Sequence, residues 1–221
     1  MLNGMILMKE MINYINFNYF KKKDTLPTNS YISLVLAWLG FGVLHSVFAY
    51  QPLKNSMAVL LKAKYKFYRL SYSIFATFNL VLIVLLHVSI GSQLLWQPAL
   101  LQKIAAAMFV IISSFLMLLC MKKYFADLSG IDALTGSTVI PHLQTTGVHA
   151  LVRHPLYTVT IAFVWSLFLW QPLLSNLISC LCITIYTRIG IYFEEKKLVR
   201  VFGKDYKLYQ ATVPMLLPKL F

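Results

Sequence analysis

The chain has 221 residues, 59% of them hydrophobic and only 12% charged, with a formal net charge of +13. That charged fraction is roughly half the usual value for a soluble domain, and the apolar residues come in long blocks, so the composition argues against a soluble fold and for an integral membrane protein. The basic residues sit in the gaps between those blocks rather than along a surface stripe, which disfavours nucleic-acid binding.

Residues 1–30 are polar and irregular. They read as a leader, either an interfacial amphipathic helix or a disordered segment. They hold no short apolar core followed by a small-residue cleavage site, so no removable signal is expected there. Residues 31–221 read as a single domain.

A membrane span needs about 20 apolar residues, fewer where a helix is buried in a bundle. Five stretches qualify: Tyr31 to Ala49, Tyr68 to Ile90, Lys103 to Met121, Pro155 to Trp170, and Leu173 to about Phe193. The expected fold is therefore all-α, a polytopic membrane helical bundle of about five transmembrane helices with a cytosolic C-terminal helical tail. Gln171 and Pro172 are the whole turn between the last two spans, which implies an antiparallel hairpin. A polar interval, Lys122 to Val152, separates the third span from the fourth, with Gly130, Gly136, Pro141 and Gly147 as breakers.

Five spans put the two ends on opposite sides. With the C-terminus in the cytoplasm, 15 Lys and Arg residues lie inside and 5 outside. The positive-inside rule thus favours an outer N-terminus and a cytoplasmic C-terminus, as in a bacterial inner membrane. Lys21, Lys22 and Lys23 run against this; a leader on the inner face would change the number of spans. The polar interval, "LVRHPLYT" (151–158) and the tail then share the cytoplasmic side.

Three cysteines, Cys120, Cys180 and Cys182, fall inside apolar blocks without CxxC spacing. They read as small buried hydrophobes, and neither a disulfide framework nor a metal site is expected. Gly40 and Gly42 form a GxG within an apolar helix, read as close helix packing because no strand precedes it.

Arg153, His154 and Pro155 stand at the mouth of the fourth span. In bland terms the proline starts the helix at its first turn and the arginine snorkels to the head groups. Glu194 and Glu195 end the fifth span, two of only 7 acidic residues in the chain. Neighbours on a helix point about 100° apart, so one can face the bundle and the other water or a lysine. A cytosolic pocket lined by Arg153, His154 and a carboxylate would carry both charge signs, which suits a zwitterionic head. Arg binds a carboxylate in bidentate fashion and Glu an ammonium. Tyr157, one helical turn past Arg153, lies on the same face and can receive a cation. His45, with Ser46 and Arg69 at the same membrane face, is a further candidate base or substrate contact. His87 falls toward the outer end of its span, and His142 and His149 lie where the polar interval could close over a pocket.

"GVHALVRHPLYT" (147–158), followed after about 35 residues by "FEEKKLVRVFGKDYKLYQATVPMLLP" (193–218), resembles the C-terminal signature of the isoprenylcysteine carboxyl methyltransferase and phospholipid methyltransferase superfamily. The shared pattern is an RHPxY, an EE pair, an FGxxYxxY and a closing VPxxxP. It covers about the last 75 residues, within a cofactor half of about 122–221. "HSVFA" and "YRLSY" in the N-terminal half look closest to the branch of methanethiol S-methyltransferases and membrane proteins associated with nitric-oxide reduction.

The resemblance implies S-adenosylmethionine as cofactor. It implies cofactor contacts from Arg153, His154, Pro155, Tyr157, Glu194 and Glu195, with Tyr206 and Tyr209 of the tail covering the cofactor. It departs at Val159, where the family usually has Gly, and at His149, where an aromatic often stands. The implied reaction is methylation of the sulfur of a small or lipophilic thiol, and the thiolate is the reactive form. His154 or His45 would take the thiol proton. An apolar acceptor could enter from the membrane lipid while the charged cofactor enters from the cytosol. Carboxyl methylation of an isoprenylcysteine-like or lipid acceptor is the alternative within the class. A non-enzymatic membrane accessory protein of nitrogen-oxide metabolism is the alternative outside it.

Overall fold

The computed structural model describes residues 28–129 and 142–218. The leader up to Pro27, and the breakers Gly130, Gly136 and Pro141, lie outside the described residues. Among the described residues the chain is helical, with one isolated antiparallel bridge between Leu94 and Leu173.

Helix α1 runs from Thr28 to Ala49. Pro52 suits the first turn of a new helix, where its missing N–H has no partner to lose. Tyr50, the cap residue, is extended, and α2 runs from Gln51 to Leu61. A 3-10 turn, Lys62–Phe67, then leads into α3, Tyr68–Ser89. In the sequence residues 50–67 are a gap between two apolar spans; the structure makes them a short helix and a tighter turn. Helix α4 spans Leu100–Ser129, α5 is the single turn Val148–Leu151, α6 spans Pro155–Trp170 and α7 runs from Leu174 to Thr212.

At about 1.5 Å per residue, the 22 residues of α1 or of α3 reach roughly 33 Å, enough for a hydrocarbon core of about 30 Å. Among the described residues four helices are long and apolar enough to cross a membrane, and the 16-residue α6 is a fifth, shorter apolar helix. Large apolar side chains point outward all along them, for example Leu36, Phe109, Ile111 and Leu118. In water such a surface would drive aggregation; in a bilayer it is the solvated face. The chain is a polytopic helical bundle of the membrane type. Helix α6 packs against α4 and α7, and α1 packs against α7 and α3.

Hydroxyls inside the apolar helices bond to their own helix. Ser113 Oγ donates to Phe109 O, Ser166 Oγ to Ala162 O and Thr187 Oγ1 to Ile183 O, each at 2.6 Å. With no water at that depth, the carbonyl one turn back is the nearest acceptor.

The loops sort to two ends. At one, Leu95 N donates to Pro172 O at 2.8 Å, Leu174 N to Gln93 O at 2.9 Å, and Gln93 N to Tyr31 Oη at 3.1 Å. The start of α1, the α3–α4 loop and the α6–α7 turn therefore meet there, as five alternating spans require. Below this end a polar chain crosses three helices. Trp38 Nε1 donates to Ser179 Oγ at 3.0 Å, and Ser179 Oγ lies 3.0 Å from His87 Nδ1. His87 Nε2 lies 2.8 Å from Asn176 Oδ1. Placing the ring proton on Nε2 gives every group in this chain a donor or an acceptor. His87 is thus a tie between α3 and α7, far along its helix from the motifs.

Of the two glycines expected to allow close helix packing, only Gly42 does so. A Cβ there would stand 3.0 Å from Cδ2 of the Tyr186 ring, whereas nothing lies within 4 Å of one added at Gly40.

The fold then positions the site at the other end. Glycine203 breaks α7, with φ 57° and ψ −120°, a backbone region that glycine enters without a Cβ clash. In a straight helix Glu195 and Tyr206 would stand about 16 Å apart along the axis. The break turns the last part of α7 back, so that Tyr206 Oη comes 3.3 Å from Glu195 Oε1.

Candidate active site

The site is built where the start of α6 meets the returning tail. Pro155 fixes the first turn of α6, and the two residues before it remain outside the helix with free backbone donors. Arg153 N donates to Pro214 O at 2.9 Å and His154 N to Met215 O at 3.2 Å. Thr158 Oγ1 adds a bond to Leu216 O at 2.9 Å. The RHP segment and the VPM segment thus clasp each other through backbone, and side chains finish the join.

Glu195 is the centre of that join. Its Oε1 accepts from Arg153 Nε at 2.8 Å, and His154 Nε2 lies 3.2 Å away. Tyr206 Oη donates to the same oxygen, and Gln210 Nε2 donates to Oε2 at 3.1 Å. The side chains of Arg153 and Glu195 are 9% and 14% exposed, so this charge pair is largely withdrawn from solvent. Such a pair holds only when further donors satisfy the remaining lone pairs, and here they do. Arg153 Nη1 also donates to the carbonyls of Gln210 and Val213. Tyr209 Oη donates to His149 O at 2.6 Å, and His149 Nδ1 lies 3.2 Å from Arg153 O. Tyr206 and Tyr209 are both buried.

The structure therefore brings together Arg153, His154, Pro155, Glu194, Glu195, Tyr206 and Tyr209, all named from sequence. It divides the labour between the glutamates. Glu194 turns the other way from Glu195. Its Oε2 is buried without a hydrogen-bond partner, 3.8 Å from His154 Nδ1. The Tyr157 hydroxyl faces the same carboxyl, and the Tyr157 ring lies 5.7 Å from that of His154. Val159, in the place where the resemblance expects glycine, is buried in α6.

His45 keeps different company. Tyr72 Oη lies 2.8 and 2.9 Å from its two ring nitrogens, and its ring is 6.0 Å from that of Tyr186 and 5.5 Å from that of Phe41. Ser46 Oγ lies 3.4 Å from Tyr186 Oη. Among the described residues His45 makes no hydrogen bond or ring contact with His154.

Sequence reasoning missed a cavity of about 310 Å³ beside Glu195, lined by Arg188, Ile191, Tyr192, Lys196 and Met215. The signal was present in the spacing. Arg188, Ile191, Tyr192 and Glu195 follow at three, one and three residues, which puts them on one helical face.

Residues 101–205 match the phospholipid methyltransferase family. Among curated proteins, the chain is 34% identical over 99 residues to a methanethiol S-methyltransferase of Pseudomonas deceptionensis. That match takes in 44% of this chain and 37% of the relative. It is 27% identical over 210 residues to methanethiol S-methyltransferase 1 of Bradyrhizobium diazoefficiens, covering 88% of this chain and 69% of the relative. A protein-S-isoprenylcysteine O-methyltransferase of Schizosaccharomyces pombe is 38% identical over 80 residues, covering 34% of this chain and 33% of the relative. No solved structure matches.

Proposed function

We propose that this chain is a membrane methyltransferase that uses S-adenosylmethionine to methylate the sulfur of a small or lipophilic thiol. The family match and the names of two of the relatives above support the class and the thiol. The observation that carries the reading is the Glu194 carboxyl: its Oε2 is buried without a hydrogen-bond partner, 3.8 Å from His154 Nδ1, while the side chain as a whole is 42% exposed and so open to a ligand. A buried polar atom without a partner costs free energy, so it is best explained by a ligand that completes it.

The residues fit the cofactor's amino-acid end. Glu194 Oε2 can accept from its ammonium, on the side of α7 turned away from the small cavity. Arg153 and Glu195, engaged with each other and with the tail, hold the wall of the site. Tyr206 and Tyr209 lock the tail in place and keep water out of it. When bound, S-adenosylmethionine supplies a methyl group on a sulfonium, which is electrophilic.

A thiol must lose its proton to react well at neutral pH. His154 is placed for that. With Nε2–H donating to Glu195, Nδ1 carries the lone pair. A proton taken at Nδ1 would stand close to Glu194, whose charge stabilises the imidazolium. On this reading His45, held by Tyr72, shapes the wall on the acceptor side. The site lies on the cytoplasmic side of a bacterial inner membrane, with the C-terminus inside.

The test is methyl transfer by purified protein in lipid nanodiscs, with labelled S-adenosylmethionine. Label in a volatile thioether from an alkanethiol is the expected product. Label released as methanol by base after incubation with a prenylated cysteine would instead assign the protein to carboxyl methylation. A folded protein that neither binds the cofactor nor transfers label would end the enzyme reading.

A further inference from the structure

A second and larger cavity lies on the His45 side of the bundle, with Lys197, one helical turn from Glu194, on its lining. It measures about 1010 Å³ and opens between the ends of α1 and α3, helix α2, the 3-10 turn and one residue of α7. Five cationic side chains line it: Lys54, Lys62, Lys66, Arg69 and Lys197; no Asp or Glu is among its lining residues. The sequence showed these residues only as a basic loop of the kind that sets topology. The fold gathers them around one space and adds Lys197 from a helix well over a hundred residues away. Like charges so placed repel one another, and an anion between them relieves that repulsion.

A second observation points the same way. Lys62 is the one residue other than glycine with positive φ among the described residues, at φ 48° and ψ −121°. A side chain held in that region is strained, and such strain persists where surrounding structure or function demands it. It occurs at the junction of α2 and the 3-10 turn, on the lining of this cavity.

We propose that this cavity is a binding site for the phosphate of an anionic lipid head group. Phosphate chemistry fits the several separate ammonium groups, each a point charge that needs no planar partner. The lipid source is favoured by the surroundings. Helix α2 has no buried residue, and Val59 and Leu60 on it are 78% and 70% exposed. That is the pattern of a helix lying in the membrane interface, at the depth of phospholipid head groups. Apolar faces of α1 and α3 adjoin it for acyl chains. Lys54 and Arg69 already engage neighbours, and Lys66 rests 5.2 Å above the Phe67 ring. Lys62 and Lys197 are therefore the sharpest probes. The cavity shares His45 and Tyr72 with the wall on the acceptor side, but phosphate binding by its lysines is measured without methyl transfer and is therefore tested apart from that reading.

The experiment is native mass spectrometry of the full chain in a neutral detergent, titrated with phosphatidylglycerol or phosphatidylcholine. Wild type should retain phosphatidylglycerol at least tenfold better. The pair Lys62→Gln and Lys197→Gln should lose that preference. The pair Lys204→Gln and Lys207→Gln, an equal charge loss on the exposed tail, should keep it. Circular dichroism melting shows whether each pair is folded, and Lys66→Gln alone replaces the first pair if it is not. Equal retention of the two lipids, or a preference that survives in the cavity variants, would overturn the proposal. Glycerol 3-phosphate separates the sources. Weak competition at millimolar concentration assigns a lipid, while tight binding of glycerol 3-phosphate alone would show a soluble phosphate and overturn the lipid assignment.

Discussion

The Arg153–Glu195 pair gives the sharpest quantitative test. Arg153→Met keeps an apolar stem of similar reach and removes the guanidinium. It takes away the 2.8 Å bond to Glu195 and the bonds from Nη1 to Gln210 O and Val213 O. A hydrogen bond between charged groups contributes about 1.5–3 kcal/mol, and each carbonyl left unpaired costs about 1 kcal/mol. The sum is roughly 3–5 kcal/mol, the range expected when one partner of a buried ion pair is removed. Glu195→Gln keeps an oxygen for Tyr206 but strands the Arg153 charge, for roughly 2–3 kcal/mol. In the double variant the shared bond is lost only once. The coupling between the two sites should therefore be about 2 kcal/mol. Reversible unfolding in mixed micelles measures all four corners of the cycle. A coupling within the ~0.3–0.5 kcal/mol seen for independent sites would refute the claim that this pair clasps the tail.

Glu194 should behave differently from Glu195: Glu194→Gln should change stability by less than about 1 kcal/mol, since its side chain is 42% exposed and Oε2 makes no hydrogen bond, while S-adenosylmethionine affinity falls roughly 10–100-fold by calorimetric titration, one charged hydrogen bond's worth. Gly42→Ala should cost up to about 2 kcal/mol net, overpacking against Tyr186 less the helix-propensity gain of alanine, whereas Gly40→Ala, with open space around it, should be neutral or stabilising by up to ~1 kcal/mol; thermal melts of the two side by side decide this. Gly203→Ala places a Cβ at φ 57° and should lower stability by roughly 1–2 kcal/mol, with the tail after residue 203 becoming sensitive to limited proteolysis.

Much of this molecule was legible before any coordinates. Hydropathy alone marks five apolar blocks, because a bilayer demands length and apolarity of a helix whatever its neighbours are. Pro155 marks the start of α6 to the residue, since proline cannot sit further inside a helix without losing a bond. The order RHP, EE, FGxxYxxY, VP places Arg153, His154, Glu195, Tyr206 and Tyr209 together because those motifs share one end of the bundle.

What the sequence left open were choices among partners. Arg153 could equally have reached a ligand, a head group or either glutamate. Only the break at Gly203, which carries the tail back on itself, decides that it holds Glu195 and two tail carbonyls. Adjacent glutamates differ because neighbours on a helix face different surroundings, and which faces the clasp depends on how α7 is rotated in the bundle. His45 and His154 end the same face of the membrane in both readings, yet their partners come from different helices. The lysines of residues 54–66 show the same limit. Charge counting gives their side of the membrane, a sum over the chain, whereas a cavity is a property of how helices pack, and packing is set by contacts between residues far apart in sequence.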